Sequence, residues 1–356
     1  MIIGNREFNT ELKTYVMGIL NLTPDSFSDG GQFFSEDPAR MLDIALAQTE
    51  RMIEEGADII DIGGESTRPG YTPISDEEEI ERVLPVIDAV KARFDIPVSL
   101  DTYKSAVARE GLAHGVDLIN DIWGLKADPL MASVIAEYDV PCCLMHNRKE
   151  PVARASKDGG ETSRAAAGSD PAWEEEVVNI WLKEIAESIR LAAAGGIGRE
   201  QIILDPGIGF GKNYKQNLIA IHHLDRLVAL GYPVLLGTSR KSVIANALAE
   251  PTRTLDCASC NACDTPSENC AGCDAPAATG GAPAEKTAPA AQSGAPADKA
   301  APAAPGGTPS VPMEDRVVAT AVTTAFAVQA GCAFVRVHDV KENVQAIRMT
   351  RAVLED

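Results

Sequence analysis

Short apolar runs alternate along this chain with longer stretches whose apolar residues return every three or four positions, the signature of strands alternating with amphipathic helices. The first run, 15–20, gives way to a polar, Gly-containing stretch at 21–34. Asp37-Pro38 then makes a sound helix start, because proline is tolerated in a first turn, and Met41, Ile44, Ala45 and Met52 supply an apolar stripe. The second run, 59–62, ends in Gly63-Gly64-Glu65-Ser66-Thr67-Arg68-Pro69-Gly70, and Ile80, Val83, Leu84 and Ile87 share one face of the next helix. Runs at 96–100, 116–119 and 141–145 end in Asp101-Thr102, Asn120-Asp121 and His146-Asn147. The sixth, 201–204, follows a helix with Val178, Leu182, Ile185, Ile189 and Ala192 in step, and it ends in Asp205-Pro206-Gly207. The seventh, 234–236, leads to Gly237-Thr238-Ser239-Arg240-Lys241. In the eighth, 333–339, strand alternation sends Phe334 and Val335 to opposite faces and puts Arg336 and His338 on the same one. A last helix carries Val344, Ile347 and Leu354.

Eight strand–helix units in succession imply a parallel sheet, and eight is the number at which such a sheet closes into a (β/α)8 TIM barrel; an open doubly wound sheet is the alternative. Two stretches break the rhythm: a polar excursion at 148–171 and a long insertion at 252–310 inside the seventh unit. Without them the chain approaches the ~250 residues of a typical barrel. The expected organisation is therefore a barrel from 1–251 and 311–356, with 252–310 inserted.

Composition narrows the function. A net charge of −20 leaves no cluster of Lys and Arg to neutralise phosphates, which argues against nucleic acid and makes the few cations at strand ends stand out. The polar residues 1–14 resemble no signal peptide and no apolar run is long enough to span a membrane, so a cytoplasmic protein is expected. The insertion begins with Cys257, Cys260, Cys263, Cys270 and Cys273 and continues in Ala, Pro and Gly. Between Leu255 and Val311 there is no Leu, Ile, Val, Met, Phe, Tyr or Trp, so the segment cannot bury a core and is expected to be disordered unless metal-bound. Paired Cys-x-x-Cys units can build a tetrahedral Zn²⁺ site, the alternatives being a tail-like loop and a redox-labile thiol cluster. Cys142, Cys143 and Cys332 lie in apolar runs and read as buried core residues.

The motifs at 18–31, 63–70, 204–212 and 336–340 closely resemble those of the dihydropteroate synthase family, in the family's order. The resemblance covers nearly all of the chain except the two excursions. It implies a transferase of folate biosynthesis that condenses 6-hydroxymethyl-7,8-dihydropterin diphosphate with 4-aminobenzoate, releasing pyrophosphate, in an enzyme that is usually a homodimer and a sulfonamide target. By resemblance Asp101, Asn120 and Asp205 read the amidine-like pterin edge, Lys241 bonds its carbonyl side, and Met145 and Phe210 pack on the ring. Gly237 and Val337 are also implied in substrate binding. Arg336 and His338 are implied on the diphosphate, with Arg68 reaching in and Asn21 giving an oxygen to Mg²⁺. Phe27, Thr67, Pro69 and Ser239 would form the aminobenzoate pocket.

Each assignment has a plainer counterpart: a strand-end Asp often caps a helix, Asn21 could merely start a turn, and Met145 and Phe210 could be core. Two rival functions stand beside the synthase. A pterin-binding methyltransferase would have no use for Arg68, Arg336 and His338 together. A non-catalytic scaffold would leave the insertion as a metal-binding or regulatory element.

Overall fold

The computed structural model describes residues 1–23, 38–66, 72–153, 170–249 and 311–355. The chain opens with a hairpin, β1 (Ile2–Ile3) and β2 (Arg6–Glu7), paired antiparallel through a turn in which Gly4 takes φ +59°. Eight parallel strands follow: β3 (Tyr15–Asn21), β4 (Ile59–Gly63), β5 (Val98–Asp101), β6 (Leu118–Asp121), β7 (Cys142–Met145), β8 (Ile202–Asp205), β9 (Leu235–Leu236) and β10 (Phe334–Val337). Their order is β8-β7-β6-β5-β4-β3-β10-β9, and a parallel bridge between Leu204 and Val234 brings the two edges together. The sheet is thus the expected (β/α)8 barrel.

Helices α1 (Pro38–Glu55), α2 (Asp76–Arg93), α3 (Ser105–Ala113), α4 (Met131–Tyr138), α5 (Pro171–Ala194), α6 (Tyr214–His222), α7 (Leu224–Val228), α8 (Ser242–Ala249), α9 (Val317–Ala330) and α10 (Val340–Leu354) alternate with the strands. Their starts follow from local chemistry. Ser75 caps α2 by accepting from the Glu78 N–H, with four acidic residues in the first turn facing the helix dipole. Asp170 caps α5 ahead of Pro171, and Asn213 with Gln216 forms a capping box on α6.

Two cores result. Outward strand residues such as Ile60, Leu100, Leu144, Leu204 and Val335 pack with Ala45, Met52, Val83, Ile87, Val178 and Ile185 from the helices. Inward residues Met17, Ile59, Leu118, Cys143, Ile203, Leu235 and Phe334 fill the lower barrel, closed below by Ile3 and Phe8. The Phe8 ring lies 4.8 Å from Tyr15 and 5.9 Å from Phe334. The N-terminal stretch read as merely polar is therefore the barrel's plug. The fourth strand begins at Leu118 rather than 116, because the Val116 N–H bonds back to the Gly111 carbonyl and finishes α3 instead. In α10, Ile347 is buried but Leu354 is 55% exposed, so the stripe stops short of the helix end. Among the described residues no helix is long and apolar enough to cross a membrane. The insertion, with Cys257, Cys260, Cys263, Cys270 and Cys273, lies outside the described residues.

Candidate active site

On several strands, one step of two residues along the same inward face leads from the apolar layer to a polar residue. Above Ile59 stands Asp61, above Leu118 Asn120, above Cys143 Met145, above Ile203 Asp205, above Leu235 Gly237 and above Phe334 Arg336. These residues lie where the strands end, the rim at which barrel enzymes place their chemistry.

Arg336 is the centre of the floor. Its Nε donates to Asp61 Oδ2 at 2.5 Å and a terminal nitrogen donates to Asp101 Oδ2 at 2.6 Å, while Asn120 Nδ2 donates to the same Asp61 oxygen at 3.2 Å. Burial works against the guanidinium charge, but the two carboxylates outweigh it and hold the group above its ordinary value. Burial pushes Asp101 up to about 7 in spite of Arg336, with Asp61 adding to the rise.

Beside it stand Asp205 and Lys241, each held by the turn after β8. Asp205 Oδ1 accepts from the Gly207 N–H at 2.6 Å, and Lys241, at the head of α8, donates from Nζ to the Ile208 carbonyl at 2.6 Å. Gly237 lies between them: a Cβ there would be 3.7 Å from Asp205 Oδ2 and 3.9 Å from Lys241 Nζ. Burial lowers Lys241 to about 8 against the pull of Asp205, and burial raises Asp205 against the pull of Lys241. The Phe210 ring lies 4.8 Å from Lys241 Nζ, and Met145 is buried between these groups and the lower core.

At the outer rim, Ser239 Oγ accepts from the His338 N–H at 3.1 Å and lies 3.0 Å from its Nδ1. Arg240, in a left-handed conformation at φ +58°, pairs with Asp339 and so ties the loop after β9 to the loop after β10. Asn21 ends β3. A Cβ on Gly63 would lie 3.5 Å from Asn21 Oδ1 and 3.7 Å from Asp101 Oδ2, so the missing side chain leaves a gap edged by hard oxygens.

The structure thus gathers Asn21, Asp101, Asn120, Met145, Asp205, Phe210, Gly237, Ser239, Lys241, Arg336 and His338 at one end of the barrel. Val337 is not among them: alternation turns its side chain outward into the core between sheet and helices. Phe27, Thr67, Arg68 and Pro69 lie outside the described residues. Arg336, read from sequence as a diphosphate ligand, is held by the carboxylates of Asp61 and Asp101. Sequence reasoning passed over Asp61, which sits inside an apolar run, and Lys212, which closes the motif at 204–212; a charged residue within a buried run was the available signal for the first.

Carboxylates, an amide and two cations thus line the mouth of a (β/α)8 barrel, at the rim where barrel enzymes place their chemistry. The chain belongs to the pterin binding enzyme family, whose model matches residues 17–271. It is 42% identical over 99% of its length to a dihydropteroate synthase of Clostridium beijerinckii, of which it covers 99%. Among solved structures, a dihydropteroate synthase from Clostridium difficile in the presence of pteroic acid superposes with a TM-score of 0.70 at 37% identity, covering 98% of this chain and 100% of that one. The Xanthomonas albilineans dihydropteroate synthase with 4-aminobenzoic acid gives 0.66 at 31% identity, covering 97% and 94%.

Proposed function

We infer that this chain catalyses the dihydropteroate synthase reaction, condensing 6-hydroxymethyl-7,8-dihydropterin diphosphate with 4-aminobenzoate to give 7,8-dihydropteroate and pyrophosphate. The observation that carries this reading is that Asp205 and Lys241 stand on either side of Gly237, near Asp101 and Asn120. A pterin edge offers an amino group and a ring N–H to carboxylates and a carbonyl oxygen to an ammonium, which is the complement of that set.

On this reading Asp101, Asp205 and Asn120 take the amino edge, Lys241 the carbonyl, and Met145 and Phe210 the ring faces. Arg336 acts as the brace that keeps Asp61 and Asp101 oriented, leaving His338 and Arg68 for the diphosphate. The aminobenzoate would sit by Ser239 with Phe27, Thr67 and Pro69, where a sulfonamide would compete. The C–O bond to the diphosphate breaks at the exocyclic methylene, the electron-rich pterin stabilises the developing cation, and the amine of 4-aminobenzoate forms the new C–N bond. No protein nucleophile is needed. Among the described residues no group of three or more His, Cys, Asp or Glu could hold a metal, so Mg²⁺ would rest on Asn21, its gap at Gly63 and substrate oxygens, as suits an ion that keeps most of its water. When bound it would neutralise charge on the leaving diphosphate.

A homodimer completes the proposal. Val318, Val322 and Phe326 are 76%, 51% and 51% exposed at successive turns of α9, and Met349 and Val353 on the neighbouring α10 extend this apolar face, which a second copy would cover. Light scattering should give twice the chain mass, and Phe326→Asp should halve it. Mass-spectrometric detection of dihydropteroate, dependent on both organic substrates, tests the reaction; binding of a methylated folate with no product would favour the methyltransferase instead.

A further inference from the structure

The turn between β8 and α6 closes over a buried lysine, Lys212, whose ammonium bonds backbone carbonyls of the turn and the His146 ring. Lys212 Nζ has three acceptors around it: the Gly207 carbonyl at 2.9 Å, the Phe210 carbonyl at 3.2 Å and His146 Nδ1 at 2.8 Å. An ammonium has three N–H donors, so all three are used, whereas a neutral amine would leave one acceptor unmet. Behind it, His146 Nε2 lies 2.7 Å from Glu184 Oε2. Accepting from Lys212 at Nδ1 fixes the proton on Nε2, which donates to Glu184, and burial together with the Lys212 charge lowers His146 to about 4 so that the ring stays neutral.

The turn this lysine clips is pressed against the chain leaving β7. Gly207 and Gly211 take φ +67° and +55°, and a Cβ at either would stand 1.8 Å from the His146 carbonyl oxygen or 2.1 Å from that of Arg148. Three features of the site hang on the same turn: the Gly207 N–H that orients Asp205, the Ile208 carbonyl that receives Lys241, and the Phe210 ring beside Lys241.

We propose that Lys212, held from behind by His146 and Glu184, is the positioning residue of the pterin site, clipping the 207–210 turn so that Asp205 and Lys241 face the ring together. The inference rests on reading this mouth as the pterin pocket. Displacements well under the length of a bond in such a turn would misalign both groups at once, and misplacement of about 1 Å can cost a hundredfold in rate. The charged groups that face Lys212 are Asp205 from β8, Glu184 from α5, Lys241 from the head of α8 and Arg148 after β7. Burial lowers Lys212 to about 7, with Asp205 and Glu184 opposing the fall and Lys241 and Arg148 adding to it.

The test compares the full wild-type chain with Lys212→Met and Glu184→Gln, measuring 6-hydroxymethylpterin binding, both substrate KM values and their pH dependence. Lys212→Met should weaken 6-hydroxymethylpterin and raise the pterin diphosphate KM at least tenfold, while the 4-aminobenzoate KM stays within twofold. Wild-type pterin affinity should fall as pH rises through about 7, and in Glu184→Gln, whose side chain lies at the partly exposed end of the relay and so spares the fold, that fall should begin at lower pH. Should Lys212→Met fail to fold, the Glu184→Gln shift decides. Wild-type binding that both variants leave unchanged, or an equal loss for both substrates, overturns the proposal. Absence of 6-hydroxymethylpterin binding by the wild-type chain overturns the pterin reading and the proposal with it.

Discussion

The lower and upper layers of the barrel interior are built on the same strands, two residues apart, and they do opposite things. Below, Met17, Ile59, Leu118, Cys143, Ile203, Leu235 and Phe334 are at most 1% exposed and touch one another and the plug. Above, three carboxylates at Asp61, Asp101 and Asp205 crowd two cations at Arg336 and Lys241, with Asp61 and Asp205 buried and Asp101, Arg336 and Lys241 partly exposed at the mouth. Burying apolar surface stabilises the fold, whereas gathering like charges in low dielectric costs stability unless each is met by a partner. The apolar lower layer therefore offsets the cost of holding the charged upper one.

The comparison can be broken first from below. Phe334→Ala empties the centre of the plugged layer and should cost about 3–5 kcal/mol of unfolding free energy, read by denaturant titration, while the KM values of the remaining folded enzyme hold. A loss of pterin binding without loss of stability would erase the distinction between layers.

A smaller effect sharpens it from above. Asp101 stands at about 7 in the folded chain against an ordinary 3.8, so its contribution to stability is complete below about 4 and is lost as pH rises through about 7. Activity should run the other way, because the proposed ring contact needs the carboxylate: kcat/KM for the pterin substrate should fall about tenfold per pH unit below about 7. Asp101→Asn should remove that acid limb, and a retained limb would assign it to another group.

The smallest concerns the plug. Gly4→Ala forces a Cβ at φ +59° to within 2.7 Å of Asp117 Oδ1 and should cost about 1 kcal/mol in stability, with turnover unchanged.

Much of this was legible in the sequence because the strand-end residues are polar where the two-residue period turns them inward. That is why the barrel was expected; Asp101, Asn120 and Asp205 were singled out by the resemblance of their motifs, and the strand period shows why they gather at one end. What escaped did so for local reasons. Strands β1 and β2 are two residues each, too short for alternation, though Gly4-Asn5 between Ile3 and Arg6 is a recognised tight-turn pair. Val116 looked like strand because it is apolar, yet its N–H serves as a helix cap. Asp61 hid within an apolar run, and its role depends on Arg336, which follows 275 residues later. Val337 was grouped with its neighbours at 336 and 338, from which alternation separates it.

The most direct test of the central claim is pyrophosphate release by the purified chain with dihydropterin diphosphate, 4-aminobenzoate and Mg²⁺, run beside Lys241→Ala. Release that requires both organic substrates and falls about a hundredfold to a thousandfold in the variant is the predicted result, the range expected when one preorganised donor is removed. Release that ignores 4-aminobenzoate, or that survives the loss of Lys241 undiminished, would contradict the account.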